Sequence, residues 1–236
     1  RMGFPNDGAE QIAARLKADL RKHKRHLPLG INIGKSKIIP IDQAVADYTE
    51  CFLALADYAD YMVVNISSPN TPDLRKLQGD TYLPDLLGHL QKTNRERAKK
   101  LGQNPLPLVL KIAPDLSYPE IDAILTHIQQ NEFAGLIATN TTVARPPQYH
   151  LPTETGGLSG RPLSQKALDI VRYIALRTEG KLPLIGCGGI MDTADAGRLM
   201  DAGAHLLQIY TGMIYHGPFF AREIADSLSW RQRDWV

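Results

Sequence analysis

Tyr61-Met62-Val63-Val64-Asn65-Ile66-Ser67-Ser68-Pro69-Asn70-Thr71 is an apolar run that breaks into amides, hydroxyls and a proline. The apolar part has strand length and is hydrophobic on both faces, as a parallel strand covered by helices should be. The polar part falls where such a strand meets its loop. Working outward, the same grammar recurs at Leu29 to Ile33, Leu108 to Ile112, Gly135 to Thr139, Leu184 to Gly186 and Leu206 to Tyr210. Helical patterns lie between these runs. Ala44, Tyr48, Phe52, Leu55, Ala56 and Ala59 form one apolar stripe, and Ala167, Leu168, Val171, Ile174 and Ala175 form another. Ser117 and Glu120 match a capping box ahead of Ile121, Ile124, Leu125 and Ile128. Asp192 is placed to cap a helix from Thr193 to Asp201 that stops at Ala202-Gly203, and a last helix is expected over Phe219 to Leu228.

Repeated strand–helix units predict a parallel sheet with right-handed crossovers. No Gly-x-Gly-x-x-Gly follows the early strands, which disfavours an open dinucleotide-binding sheet. Polar residues end almost every strand, and a (β/α)8 TIM barrel uses all of those ends for one site. The expected class is therefore α/β, a (β/α)8 barrel with about six βα units in these 236 residues. A full barrel has eight units and typically about 250 residues. The expectation is one domain over residues 1–236 that lacks its first two strands, their place being before Arg1.

Composition narrows the function classes. A net charge of +2 offers no argument for nucleic acid, and 43% hydrophobic residues are ordinary for a globular protein. The basic stretches Arg21 to His26 and Arg95 to Lys100 read as solvated helix ends, with an anionic partner as the sharper alternative. Cys51 and Cys187 are far apart and lack metal-ligand spacing, so both read as buried free thiols, and no metal site is expected. No apolar run approaches the ~18 residues needed to span a bilayer.

The strand ends carry the chemistry. Gly186-Cys187-Gly188-Gly189-Ile190 and Tyr210-Thr211-Gly212 suit a phosphate, because glycines let backbone N–H groups approach an anion. Lys111 is a cation in the otherwise apolar Val109-Leu110-Lys111-Ile112. It suits a cofactor or substrate that gains negative charge, as a flavin does on reduction. Asn32, Asn65, Asn70 and Asn140 offer donors and acceptors to a heterocycle, although any one of them alone reads better as a turn-former. No catalytic His, Gly-x-Ser-x-Gly elbow or His/Glu metal motif is evident, so an organic cofactor is favoured.

These motifs resemble the dihydroorotate dehydrogenase family. The resemblance is carried in order by Arg1 to Phe4, Gly30 to Gly34, Asn65 to Thr71, Lys111 to Asp115, Thr139 to Thr142, Gly156 to Gly160 and Gln208 to Gly212. Ser68 stands where the quinone-linked, membrane-associated class 2 branch has serine and the soluble class 1 branch has cysteine. The resemblance implies oxidation of dihydroorotate to orotate at FMN, with electrons passed to a quinone. It makes Ser68 the base that takes the C5 proton. Asn32, Asn65, Lys111 and Thr139 would contact the isoalloxazine, and Ser159, Gly160, Gly188, Gly189, Tyr210 and Thr211 the ribityl and phosphate groups. Asn65, Asn70, Asn140 and Thr141 would bind substrate, along with Met2, Gly3 and Phe4. The resemblance also implies an N-terminal helical segment, absent here, that forms the quinone tunnel and makes peripheral contact with a bacterial or mitochondrial inner membrane. These 236 residues by themselves would be soluble. The rival readings are another FMN barrel oxidoreductase and a barrel remnant that only binds phosphate.

Overall fold

The apolar runs become strands because each is too short for a helical stripe and is hydrophobic on both faces. The computed structural model describes residues 6–79, 81–149 and 155–229, and the described residues hold six strands and eight α-helices. The chain divides into two compact units, Arg1–Leu110 with Ala123–Ala134, and Lys111–Asp122 with Gly135–Val236. Each of the six expected strands forms within two residues of its expected bounds.

The first unit contains α1 (Ala9–Lys22), β1 (Gly30–Ile33), α2 (Ala44–Leu55), β2 (Tyr61–Asn65), α3 (Leu83–Leu101), the start of β3 (Leu108–Ile112) and the end of α4 (Tyr118–Gln130). Strands β1 and β2 are parallel, with Gly30 opposite Tyr61 and Ile33 opposite Val64. The Tyr61 ring fills the space beside Gly30, where a Cβ would lie 2.1 Å from it. The stripe on α2 is the buried face: Ala44, Tyr48, Phe52 and Leu55 are inaccessible, as is Ala56 in the 3-10 turn that follows. Leu83, Leu86, Leu87 and Leu90 of α3 join the same core. Helices α1 and α3 were foreseen only as basic ends. On α1 no residue is fully buried, which explains its faint sequence signal. The basic stretch after α1 is not simply solvated. Arg25 donates to the Tyr58 carbonyl at 2.8 Å and pairs with Asp60 at 2.9 Å.

The second unit contains the end of β3, the start of α4, β4 (Gly135–Ala138), α5 (Ser164–Arg177), β5 (Leu184–Cys187), α6 (Thr193–Asp201), β6 (Leu206–Gln208), α7 (Thr211–His216) and α8 (Phe220–Leu228). Strands β4, β5 and β6 are parallel neighbours in chain order, with Leu136 opposite Leu184 and Ile185 opposite Leu206. Every residue of β4 is buried. The expected caps form: the Asp192 carboxylate accepts from the Asp195 N–H at 2.7 Å. Glu120 accepts from both the N–H and the hydroxyl of Ser117, at 2.7 and 2.6 Å. These two bonds hold the Glu120 carboxyl below its ordinary range.

Two expectations need correction. Tyr210-Thr211-Gly212, which the sequence offers as a strand-end loop, is largely helical because Thr211 begins α7, while the last helix forms where expected. A six-residue helix is too short to show a periodic stripe, and Gly212 lets it pack tightly, since a Cβ there would sit 2.4 Å from the Ile190 carbonyl. Cys187 is buried but Cys51 is only half-buried, because it lies at the margin of the α2 stripe. Burial and the nearby Asp47 and Glu50 raise the Cys51 thiol above its ordinary pKa. No helix among the described residues is long and apolar enough to cross a membrane.

Candidate active site

In the first unit, β2 delivers Asn65 into a loop folded back on itself. Asn65 is buried, and its carbonyl accepts from the Tyr48 hydroxyl at 2.7 Å. Its side-chain Oδ1 accepts from both the N–H and the hydroxyl of Ser67, at 3.2 and 2.9 Å. The Asn65 amide oxygen is thus committed to the loop through both of its lone pairs. The Ser67 carbonyl in turn accepts from Arg75 Nε at 3.1 Å.

Ser67 and Ser68 are both inaccessible, but their hydroxyls differ in role. Ser67 spends its proton on Asn65. Ser68 Oγ instead accepts from the Asn70 backbone N–H at 3.2 Å. A hydrogen bond donated to an oxygen favours its negatively charged form. The Asn70 N–H therefore favours negative charge on Ser68 Oγ. Asn70 and Asn32 are exposed. Met2, Gly3 and Phe4 lie outside the described residues.

In the second unit, Lys111 is half-buried near the end of β3. Its ammonium donates to Gln208 Oε1 at 2.6 Å and lies 3.8 Å from Cys187 Sγ. Beside it Thr139 is buried, its N–H donating to the Cys187 carbonyl at 2.6 Å, and the Ala138–Thr139 peptide is cis. Asn140 and Thr141 are half-buried, and the Thr141 N–H donates to Asn140 Oδ1 at 2.8 Å. The following turn is clamped by Asp115, which accepts from Thr142 Oγ1, from the Val143 N–H at 2.9 Å and from Lys166 Nζ at 2.7 Å. Arg145 ties the same turn to the Gly156 carbonyl at 2.8 Å.

The glycine loops form a backbone cradle. Gly160, Gly188 and Gly189 have φ of 77°, 116° and 73°, conformations that side chains resist. A Cβ on Gly189 would lie 2.3 Å from Ser164 Cα, where α5 begins, and the Ser164 hydroxyl donates to the Gly189 carbonyl at 2.7 Å. Thr211 Oγ1 donates to Ser159 Oγ at 2.8 Å, and a Cβ on Gly160 would lie 3.2 Å from Thr211 Cγ2. Ser159, Gly160, Thr211 and the adjoining Tyr210 are thus gathered, with Tyr210 half-exposed. Closely approached backbone, two hydroxyls and a fixed ammonium fit a phosphate-bearing cofactor whose ring gains negative charge.

The sequence does not mark Tyr48 and Arg75 as supports of the site, and it shows Asp115 and Gln208 only as parts of motifs. Asp115 and Gln208 had a visible signal, a polar residue at or just after a strand end. Tyr48 and Arg75 had none, since each is an ordinary member of its helical stripe or turn.

A parallel α/β protein with glycine anion loops and a lysine at a strand end is the class these features define. A family model described as dihydroorotate dehydrogenase matches residues 1–231. A dihydroorotate dehydrogenase (quinone) from Synechococcus sp. strain JA-2-3B'a(2-13) is 44% identical, over 97% of this chain and 62% of its own length. One from Chloroflexus aurantiacus is 48% identical, over 95% of this chain and 62% of its own length. The crystal structure of an Eimeria tenella dihydroorotate dehydrogenase in complex with ferulenol superposes with a TM-score of 0.86 and 35% identity, covering 100% of this chain and 68% of that one. The chain belongs to the dihydroorotate dehydrogenase family, whose members are flavin enzymes. Its fold class is therefore the α/β barrel of that family, represented here by six βα units. It spans 62% of the length of the curated relatives just named.

Proposed function

We propose that this protein takes part in the FMN-dependent oxidation of dihydroorotate to orotate, with a quinone as the final acceptor, in pyrimidine biosynthesis. The observation that carries the reading is the division of labour between the two buried serines. Ser67 is committed to Asn65, while Ser68 Oγ accepts a backbone N–H and retains a proton to exchange. A serine at this place is the class 2 feature, and the relatives named as quinone enzymes support that branch.

FMN, when bound, supplies the hydride acceptor for C6 and a route for the electrons to the quinone. The chain supplies the rest. Ser68 Oγ takes the C5 proton as its own hydroxyl proton passes to a relay of water or hydroxyls, and the Asn70 N–H stabilises the alkoxide character this gives the oxygen. Burial of Ser67 and Ser68 keeps bulk water from the serine. Asn65 donates to the substrate ring and the flavin edge, and Asn70, Asn140 and Thr141 bind the ring and its carboxylate. Asn32, Lys111 and Thr139 contact the isoalloxazine, and Ser159, Gly160, Gly188, Gly189, Tyr210 and Thr211 hold the ribityl phosphate. Met2, Gly3 and Phe4 complete the substrate contacts. Residues 1–236 are read as part of one FMN-binding barrel domain, with peripheral membrane contact made through a further N-terminal segment.

The test is anaerobic addition of dihydroorotate to the flavin-loaded protein. Bleaching of the flavin band, followed by reoxidation with a short-chain quinone, is expected. A yellow protein that dihydroorotate leaves yellow would point to a different substrate.

A further inference from the structure

Three strand ends in the second unit meet at one ammonium. Lys111 comes from β3, Cys187 is the last residue of β5, and Gln208 is the last residue of β6. The ammonium has two neighbours among the described side chains: Gln208 Oε1 at 2.6 Å and Cys187 Sγ at 3.8 Å. The Gln208 amide oxygen carries no net charge. Among the described residues no carboxylate pairs with Lys111, although Asp115, four residues on, is paired with Lys166 at 2.7 Å.

A cation drawn partly out of water is disfavoured unless an opposite charge compensates it. At Lys111 hydrogen bonding is supplied and charge compensation is not. Gln208 aims the ammonium without neutralising it. A glutamate of nearly the same shape would hold it as well and cancel its field. The contact is long-range, 97 residues apart in sequence, so it is set by the pairing of the strands and not by a local turn.

We infer that Gln208 is a positioning residue that keeps the Lys111 charge fixed and uncompensated, and thereby raises the reduction potential of the bound flavin. The inference rests on the flavin reading above and adds to it the residue that sets the strength of the lysine's field. A fixed positive charge favours the reduced, anionic ring over the oxidised, neutral one. A neighbouring carboxylate would offset that preference.

The experiment measures the midpoint potential of the FMN-loaded protein by equilibration with a reference dye, in the parent, Gln208→Glu and Gln208→Leu. Gln208→Glu is expected to disfavour reduction about tenfold, which is about 30 mV lower for a two-electron couple. Gln208→Leu adds no charge but releases the ammonium that Gln208 holds, so reduction should be disfavoured by a smaller factor, about threefold. Equal lowering in both variants would mark a general packing defect and overturn the inference. So would an unchanged potential in Gln208→Glu. If Gln208→Glu fails to retain FMN, Gln208→Leu decides: a potential lowered by about that threefold supports the inference and a parent-like one overturns it. A parent protein that takes up no FMN defeats the flavin reading itself and this inference with it, a failure distinct from an unresponsive Gln208.

Discussion

Replacing Gly189 by alanine tests the backbone cradle most directly, and Gly180 provides its control. Both glycines have left-handed backbone, φ 73° and φ 66°. An alanine in that region costs roughly 1–2 kcal/mol at either position. Their surroundings differ. A Cβ at Gly180 meets nothing within 4 Å, whereas at Gly189 it would lie 2.3 Å from Ser164 Cα and 2.6 Å from Ser164 N. Those are backbone atoms of the first residue of α5, which cannot swing aside as a side-chain tip would. Overpacking of this kind adds roughly 1–3 kcal/mol, so Gly189→Ala should cost about 2–5 kcal/mol in all. It should also lose FMN, since the N–H groups of the loop must move. Gly180→Ala should cost about 1–2 kcal/mol and keep the flavin. Urea unfolding and flavin content after gel filtration measure both effects. If the two variants prove equal in stability and both stay yellow, the close approach of the Gly188-Gly189 loop to α5 does not shape the site as argued.

Other expectations concern the first unit and the caps. Tyr48→Phe removes the hydroxyl donated to the buried Asn65 carbonyl and should cost about 1–2 kcal/mol. Burial pushes the Tyr48 phenol far above its ordinary pKa, so this cost should be the same at pH 6 and pH 9, and a pH-dependent difference would count against the assignment. Ser68→Ala should slow flavin reduction by dihydroorotate roughly 10²–10⁴-fold with FMN still bound. Ser67→Ala should leave reduction within about tenfold while loosening the loop, at a cost of about 1 kcal/mol. The reverse order in stopped-flow traces would exchange the two roles. Glu120→Gln should cost about 0.5–1 kcal/mol near neutral pH, as loss of a cap does. Because the folded pKa of Glu120 is depressed, its contribution is complete above the ordinary glutamate value and lost as pH falls through the folded one. The difference in stability from the parent should therefore shrink in acid, and urea titrations that show a constant gap would refute it.

Much of the architecture was legible because its determinants are local. An apolar run such as Val63-Val64 or Leu136-Ile137 cannot sit at a surface, and the spacing of Tyr48, Phe52 and Leu55 leaves one helical face to bury. Asp192 and the Ser117–Glu120 pair act within four residues of themselves, so their caps follow from spacing alone. Helix α7 escaped notice because its determinant is remote: Gly212 is required by the Ile190 carbonyl and not by any pattern around it.

The sequence by itself determined the order of strands and helices, the places where polar residues end the strands, and the family to which the chain belongs. Each depends on residues close together along the chain. Only the tertiary structure decided which groups at those strand ends are spent and which are available. Ser67 and Ser68 are identical as letters, and the folded loop alone gives one a donor's role toward Asn65 and the other an N–H from Asn70. Lys111 reads as a cation in either setting, but its uncharged partner Gln208 arrives through strand pairing. Hydrogen-bonding capacity belongs to a residue, whereas its use depends on neighbours that only the folded chain brings within hydrogen-bonding distance.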